Sequence, residues 1–217
     1  MPEMEHWLKP IHDALDDWDE DDTYIKIESV VNREDGLDIG LLVWRSVGDQ
    51  RRWIIECREV IDSRIHFEVS DWVRHVTEGP VLVPYLEEQA ELYFQGTLHD
   101  YRSVVGELLL AHRAIMDPRF PITNFVHWLA TRSNGFSPHT LTRSFFDFGS
   151  GLIAKGPASL IRAFQAALER HGLRTSVLPS AARIMQQEAS RSTGSTKHFS
   201  ALEFNESFVI AQSFRVR

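Results

Sequence analysis

Apolar residues near the start of the chain recur at intervals of three and four positions. The stripe comprises Met4, Trp7, Leu8, Ile11, Leu15 and Trp18. This spacing places the side chains on one face of a helix. Pro10 falls inside the stripe, so the helix either kinks there or begins there, with proline at its first position.

Three segments with strand character follow, at residues 23–32, 37–47 and 51–58. Asp35-Gly36 separates the first two, and Gly48-Asp49 separates the last two. Asp-Gly supplies the positive φ that tight hairpins need, so we expect an antiparallel meander. Residues 65–69 alternate in polarity and predict a further strand.

The middle of the chain predicts one strong helix. Residues 81–86 are apolar but punctuated by prolines, which indicates buried irregular chain, and residues 91–95 form a short strand. Asp100 is suited to cap a helix that runs to Met116 with a broad apolar face. Asp117-Pro118 ends that helix, because a residue before proline avoids the α region.

Residues 117–156 form the least regular stretch, rich in phenylalanine, proline and glycine. Such aromatic loops plug the edge of a core or line a ligand pocket. A helix at residues 157–171, a strand at 173–178, a weaker helix at 179–189 and a strand at 207–216 follow. We expect a polar loop at residues 190–196.

These elements predict an α+β fold. We expect an antiparallel sheet, a meander in the first half, with helices packed on one face, and helix–strand units in the second half. The irregular stretch suggests a boundary between residues 1–118 and residues 119–217, although one continuous domain is the alternative. The core should include Trp53, Leu108, Leu160 and Phe164, since each lies on the apolar stripe of its element.

Charge is distributed unevenly along the 217 residues, whose formal net charge is −8. The first 22 residues alone hold nine acids and one base, whereas residues 119–217 hold 5 acids and 12 bases. The two oppositely charged halves can face each other, or each can meet a different partner. The densest acidic run contains Asp16, Asp17, Asp19, Glu20, Asp21 and Asp22.

Cysteine content and hydropathy limit the environment of the protein. Cys57 is the single cysteine, so no intramolecular disulfide can form, and a reducing cytoplasm is expected. No run of 18 apolar residues is present, so no membrane association is expected. Nucleic acid is an unfavourable partner, because the arginines are dispersed and the acidic first half repels phosphates.

Motifs for common active sites are incomplete. The run from Gly151 to Gly156 has the glycine spacing of a phosphate-binding loop, but Pro157 replaces the required lysine. A glycine-rich loop before a helix can still offer amides to an anion, so we consider a weak anion site at Gly149, Gly151, Lys155 and Gly156. A tight turn is the simpler interpretation.

Metal and nucleophile chemistry have equally little support. None of the ten histidines forms a metal-ready pair, so no metal and no cofactor are expected. Cys57 lies in a strand pattern beside Trp53 and Ile55, which indicates a buried, inert thiol. No catalytic residues can be named.

Two classes of function are consistent with these observations. We expect a non-enzymatic protein-binding protein, of the immunity or inhibitor type, whose acidic segment meets a basic protein partner. The alternative is a small-molecule-binding protein or enzyme with a pocket under the aromatic, glycine-rich stretch 120–156.

Overall fold

The computed structural model describes residues 7–16, 23–45, 50–67, 69–98, 100–127, 145–180 and 198–217. The chain divides into two compact units. Unit 1 contains Met1–Leu82 and Lys197–Arg217, and unit 2 contains Val83–Thr196. This division differs from the expected boundary after residue 118, because the last strands of the chain pair with strands of the first 82 residues.

Unit 1 begins with helix α1, Lys9–Asp16, so Pro10 lies in the first turn, where its missing amide costs nothing. The meander follows as β1 Thr23–Arg33, β2 Gly36–Arg45 and β3 Gln50–Arg58. Adjacent strands pair antiparallel as predicted.

Further strands of unit 1 are short. They are β4 Asp62–Arg64, β5 Val69–Ser70, β6 Arg74–Val76, β10 Ser200–Phe204, β11 Ser207–Ala211 and β12 Ser213–Val216. One sheet has the order β12-β3-β2-β1-β5, and a second has the order β4-β11-β10-β6.

Apolar side chains from α1 and both sheets form one core in unit 1. Leu8, which immediately precedes α1, and Ile11 of α1 join Ile39 of β2, Ile55 of β3 and Val209 of β11 in this cluster. Trp53, which the sequence predicted to be largely buried, is partly buried and packs against this cluster. The reason is its position in β3, whose first residues are exposed.

The opposite face of the first sheet holds a charged network. Asp38 of β2 lies directly across from Glu56 of β3. The Asp38 carboxylate is 5% exposed and accepts from Arg33 at 2.8 Å, while Arg217 lies 2.5 Å from Glu56 and 3.6 Å from Asp38. Two adjacent acids repel each other, so these arginines are needed to stabilise the pair.

Unit 2 consists of a three-stranded sheet and two long helices, with the short helix α2 Val83–Leu86. The strands are β7 Gln89–Gln95, β8 Ser150–Pro157 and β9 Arg174–Pro179, in the order β8-β7-β9. The helices are α3 Tyr101–Ile115 and α4 Ala158–Arg170. Leu160 and Phe164 of α4 are fully buried, as predicted.

Helix α3 begins as the sequence predicts, with the Asp100 carboxylate accepting from the Ser103 amide at 3.1 Å. Glu107 of α3 connects it to α4. Its carboxylate accepts from Arg170 Nε at 2.9 Å and from His171 Nε2 at 2.9 Å. These hydrogen bonds, from Arg170 first and His171 second, hold the pKa of Glu107 below its ordinary value.

Two predicted strands are broken in the structure. Residues 65–67 lie outside any strand, between β4 and β5. The predicted strand at 207–216 is interrupted at Gln212, whose amide donates to the Arg58 carbonyl, and its two parts join different sheets. Phe208 and Ile210 before the break and Phe214 and Val216 after it all fall at even positions, so periodicity alone did not reveal the change of sheet.

The α+β class is confirmed, with antiparallel pairing throughout the described strands. No helix in the described part of the chain is long and apolar enough to cross a membrane.

Replacing Leu108 by alanine tests the packing of α3. Leu108 is 1% exposed, so Leu108→Ala should lower the free energy of unfolding by roughly 2–5 kcal/mol. Leu110, on the same helix, is 68% exposed, so Leu110→Ala should change the free energy of unfolding by less than about 0.5 kcal/mol. Chemical denaturation of both variants measures this, and equal effects would contradict the packing described here.

Acid should weaken the link between α3 and α4. Because the folded pKa of Glu107 is lowered, its contribution to stability is present above its ordinary value of 4.5 and is lost as pH falls through the folded pKa. Glu107→Gln removes this titrating group, so the variant should lose less stability than the unmodified protein when the pH falls below about 4.5. The control is Glu88→Gln, since Glu88 is exposed and its side chain has no hydrogen bond to the described residues. Identical pH profiles for the two variants would contradict the role of Glu107.

Candidate functional site

A groove with a volume of about 400 Å³ lies on the three-stranded sheet of unit 2. The described lining residues come from this sheet: Tyr93, Phe94 and Gln95 of β7, Ser150 and Gly151 of β8, and Arg174, Thr175 and Ser176 of β9. Along β7, Ala90, Leu92 and Phe94 are buried and alternate with Tyr93 and Gln95, of which Gln95 is exposed. Tyr93 and Gln95 therefore lie on the open face of the sheet, whereas the Phe94 side chain belongs to its buried face.

Strand register brings three polar side chains into one row across the groove. Gln95 of the central strand pairs with Ser150 on one side and with Arg174 on the other. Directly paired residues on neighbouring strands share a face of the sheet, so the three side chains are neighbours. Tyr93, which pairs with Ser176, forms the next row.

Four polar side chains of the groove have no partner among the described residues. Within the part of the chain that the structure describes, the side chains of Gln95, Ser150, Arg174 and Ser176 have no hydrogen-bond or ion-pair partner. All four are exposed. They are therefore available to bind a ligand without first breaking an internal contact.

One charge is present among these lining residues, and it is the positive charge of Arg174. The closest acid along β7 is Glu91, two rows away from Gln95, where it pairs with Leu178. Its carboxylate is held by Lys155 at 3.0 Å and by the Tyr93 hydroxyl at 2.9 Å. The Glu91 charge is thus compensated by a lysine and does not reach Arg174.

These contacts also explain two pKa shifts beside the groove. The ammonium group of Lys155 and then the Tyr93 hydroxyl hold the pKa of Glu91 below its ordinary value. The same hydrogen bond to Glu91 raises the pKa of Tyr93, because a carboxylate acceptor favours the protonated phenol. Tyr93 is therefore a neutral side chain with its hydroxyl already engaged.

Aromatic packing supports the groove from the buried side. The ring of Phe94 lies 5.2 Å from that of Phe145 and 5.3 Å from that of Phe146. A Cβ added to Gly151 would lie 3.6 Å from the Phe145 ring, which is an ordinary van der Waals contact, so Gly151 packs directly over this ring. Phe94 and Phe146 are almost completely buried, which makes the base of the groove rigid.

The expected anion-binding loop has a different structure. Gly151, Lys155 and Gly156 belong to strand β8, and Gly149 precedes it with φ +74°. The Gly149 amide donates to the Phe146 carbonyl at 3.1 Å, and the Lys155 amide donates to the Phe125 carbonyl at 2.8 Å. The expectation of a glycine loop at the start of a helix is wrong, because pairing with β7 extends these residues.

Other candidates from the sequence do not join this site. Asp17, Asp19, Glu20, Asp21 and Asp22, together with the side chain of Asp16, lie outside the described residues. Cys57 is fully buried, and this burial raises the pKa of its thiol to about 12. Such a thiol is unreactive at neutral pH, as its strand pattern indicated.

No group of three or more histidine, cysteine or carboxylate side chains able to hold a metal ion occurs among the residues that the structure describes. Of the histidines of unit 2 that the structure describes, His112 is the most buried, at 6% exposed. Burial lowers the pKa of its ring, which favours the neutral form within the packing around Phe125.

Sequence reasoning missed Gln95, Arg174 and Ser176. Its alternative placed a pocket at residues 120–156, and two lining residues, Ser150 and Gly151, come from that stretch. The signal was the alternation in the predicted strands at 91–95 and 173–178, which places every second side chain on an exposed face. Only the pairing of β7 with both neighbouring strands shows that these exposed positions form a single site.

Comparisons with known proteins give no family to which the chain can be assigned: no family model matches it, and neither a curated protein nor a solved structure shows significant similarity.

Proposed function

We propose that this protein is a small-molecule-binding protein and that its ligand lies in the groove on unit 2. The observation that carries the proposal is the set of four unpartnered polar side chains across three adjacent strands. Ligand sites typically combine a concave surface with a few convergent polar groups, and the groove has both features.

The rigidity of the surrounding sheet supports this proposal. β7 is hydrogen-bonded on both sides, and Gly96 extends the contact beyond the strand by donating to the Gly149 carbonyl at 2.7 Å. The backbone of such a scaffold changes little on binding, so the entropic cost of association is limited to ordering the exposed side chains. No catalytic step is proposed, since the described groove lacks a paired nucleophile and base.

A second candidate function is the binding of a basic protein by the acidic N-terminal segment. The distribution of charge between the units favours it: unit 1 holds 22 acids and 12 bases, a net charge of −10, whereas unit 2 holds 9 acids and 11 bases. A strongly acidic unit accelerates association with a basic partner. An immunity or inhibitor protein would use the electrostatic field of such a unit to attract its basic partner.

Ligand binding should be blocked by filling the groove. A metabolite screen should find a compound that raises the melting temperature, since a ligand at 100 times its Kd stabilises a protein by about 2.7 kcal/mol. Ser176→Trp should abolish this shift, because its indole occupies the groove. The control is Ser213→Trp, an exposed strand position of unit 1, which should retain it. Failure of every compound, or a shift that survives Ser176→Trp, would contradict the proposal.

The second candidate predicts a kinetic effect of the acidic run. Changing Asp16, Asp17, Asp19, Asp21 and Asp22 to asparagine should alter the free energy of unfolding by less than about 0.5 kcal/mol. Association with a basic partner should slow, most at low salt, while dissociation changes less. Stopped-flow kinetics and denaturation of one variant measure both quantities.

Two outcomes would reject that candidate. A salt-dependent loss of stability would mean that the segment interacts with the chain's own basic residues. Unchanged stability together with an unchanged association rate would leave the segment as a charged flank that aids solubility.

A further inference from the structure

We infer that the ligand of the groove is an elongated organic anion, whose acidic group binds Arg174 and whose opposite, polar end binds Ser150. This inference rests on the small-molecule function proposed above and adds a chemical class and an orientation to it.

Charge determines the chemical class. Arg174 supplies the one charge among the described lining residues, and the five N–H donors of its guanidinium have no acceptor within the described part of the chain. The other unpartnered groups, the Gln95 amide and the Ser150 and Ser176 hydroxyls, are neutral. A cationic ligand would find no carboxylate here, whereas a carboxylate or phosphate group gains charge-assisted hydrogen bonds.

Strand spacing determines the length of the ligand. Ser150, Gln95 and Arg174 stand on three successive strands at the same level of the sheet. Neighbouring strands lie about 4.8 Å apart, so the two outer positions are separated by roughly 10 Å. An inorganic ion cannot contact both ends, but a chain of about six carbon atoms with a terminal acid can.

The row next to Gln95 offers apolar surface to the middle of the ligand. Tyr93 lies beside Gln95 on the same strand face, and its hydroxyl is occupied by Glu91 at 2.9 Å. Its ring therefore offers apolar surface rather than a free donor. Ser150, at the far end, can accept from or donate to a hydroxyl or carbonyl group of the ligand.

Binding of defined probes to the whole chain tests this assignment. We would titrate 6-hydroxyhexanoate, 6-hydroxyhexyl phosphate and the neutral 6-hydroxyhexanamide into isotope-labelled protein and follow the backbone amide signals of β7, β8 and β9 by NMR. Both anions should cause saturable shifts confined to these strands, and the amide should bind at least about tenfold more weakly. The tighter of the two anions identifies the acidic group.

Matched variants assign the two ends. Arg174→Gln should weaken binding of 6-hydroxyhexanoate at least about tenfold. Arg162→Gln should leave it unchanged, because Arg162 is an exposed arginine on α4, with no partner among the described side chains. Ser150→Ala should weaken binding of 6-hydroxyhexanoate but not of hexanoate, which lacks the terminal hydroxyl.

The possible failures are distinguishable. Equal binding of 6-hydroxyhexanamide, or no effect of Arg174→Gln, would overturn the anionic class while leaving the groove as a ligand site. Equal effects of Ser150→Ala on 6-hydroxyhexanoate and hexanoate would overturn the orientation. No shift with any probe would overturn this inference, and failure of the metabolite screen as well would remove the proposed function.

Discussion

The groove depends on the position of β7, which is hydrogen-bonded to β8 on one side and to β9 on the other. This double pairing aligns Gln95 with Ser150 and with Arg174. Since side chains alternate between the two faces of a strand, a slip of one residue would turn the polar row towards the helices. Buried Leu92 and Phe94 oppose such a slip, because it would expose them to water.

Local patterns were sufficient to predict much of the fold. Asp-Gly at residues 35–36 and alternating apolar positions correctly indicated the meander, and Asp100 correctly marked the start of α3. Strand pairing between distant parts of the chain could not be predicted from any short stretch of sequence. The separation of β11 from β12 at Gln212, and the pairing of β12 with β3, depend on contacts more than 150 residues apart.

The same limitation applied to the site. Gly149, Gly151 and Gly156 suggested a loop because glycine is frequent in turns. Gly151 and Gly156 instead belong to strand β8 and pair with β7. Gly156 is required for space rather than for φ, since a Cβ at this position would lie 2.8 Å from the Phe125 ring. Arg174 and Ser150 are 24 residues apart in sequence, and only β7, which lies between them in space, shows that they belong to one row.

The charged groups of the molecule fall into two kinds according to their partners. Asp38, Glu56 and Glu107 are held by arginines, so removing either member of those pairs changes stability. Arg174 has no such partner within the described chain. Since an unpartnered, exposed arginine contributes little to folding, its substitution should change binding with little effect on stability. In the proposed function, binding and stability therefore depend on different arginines, so the contribution of Arg174 to binding can be measured in a folded protein.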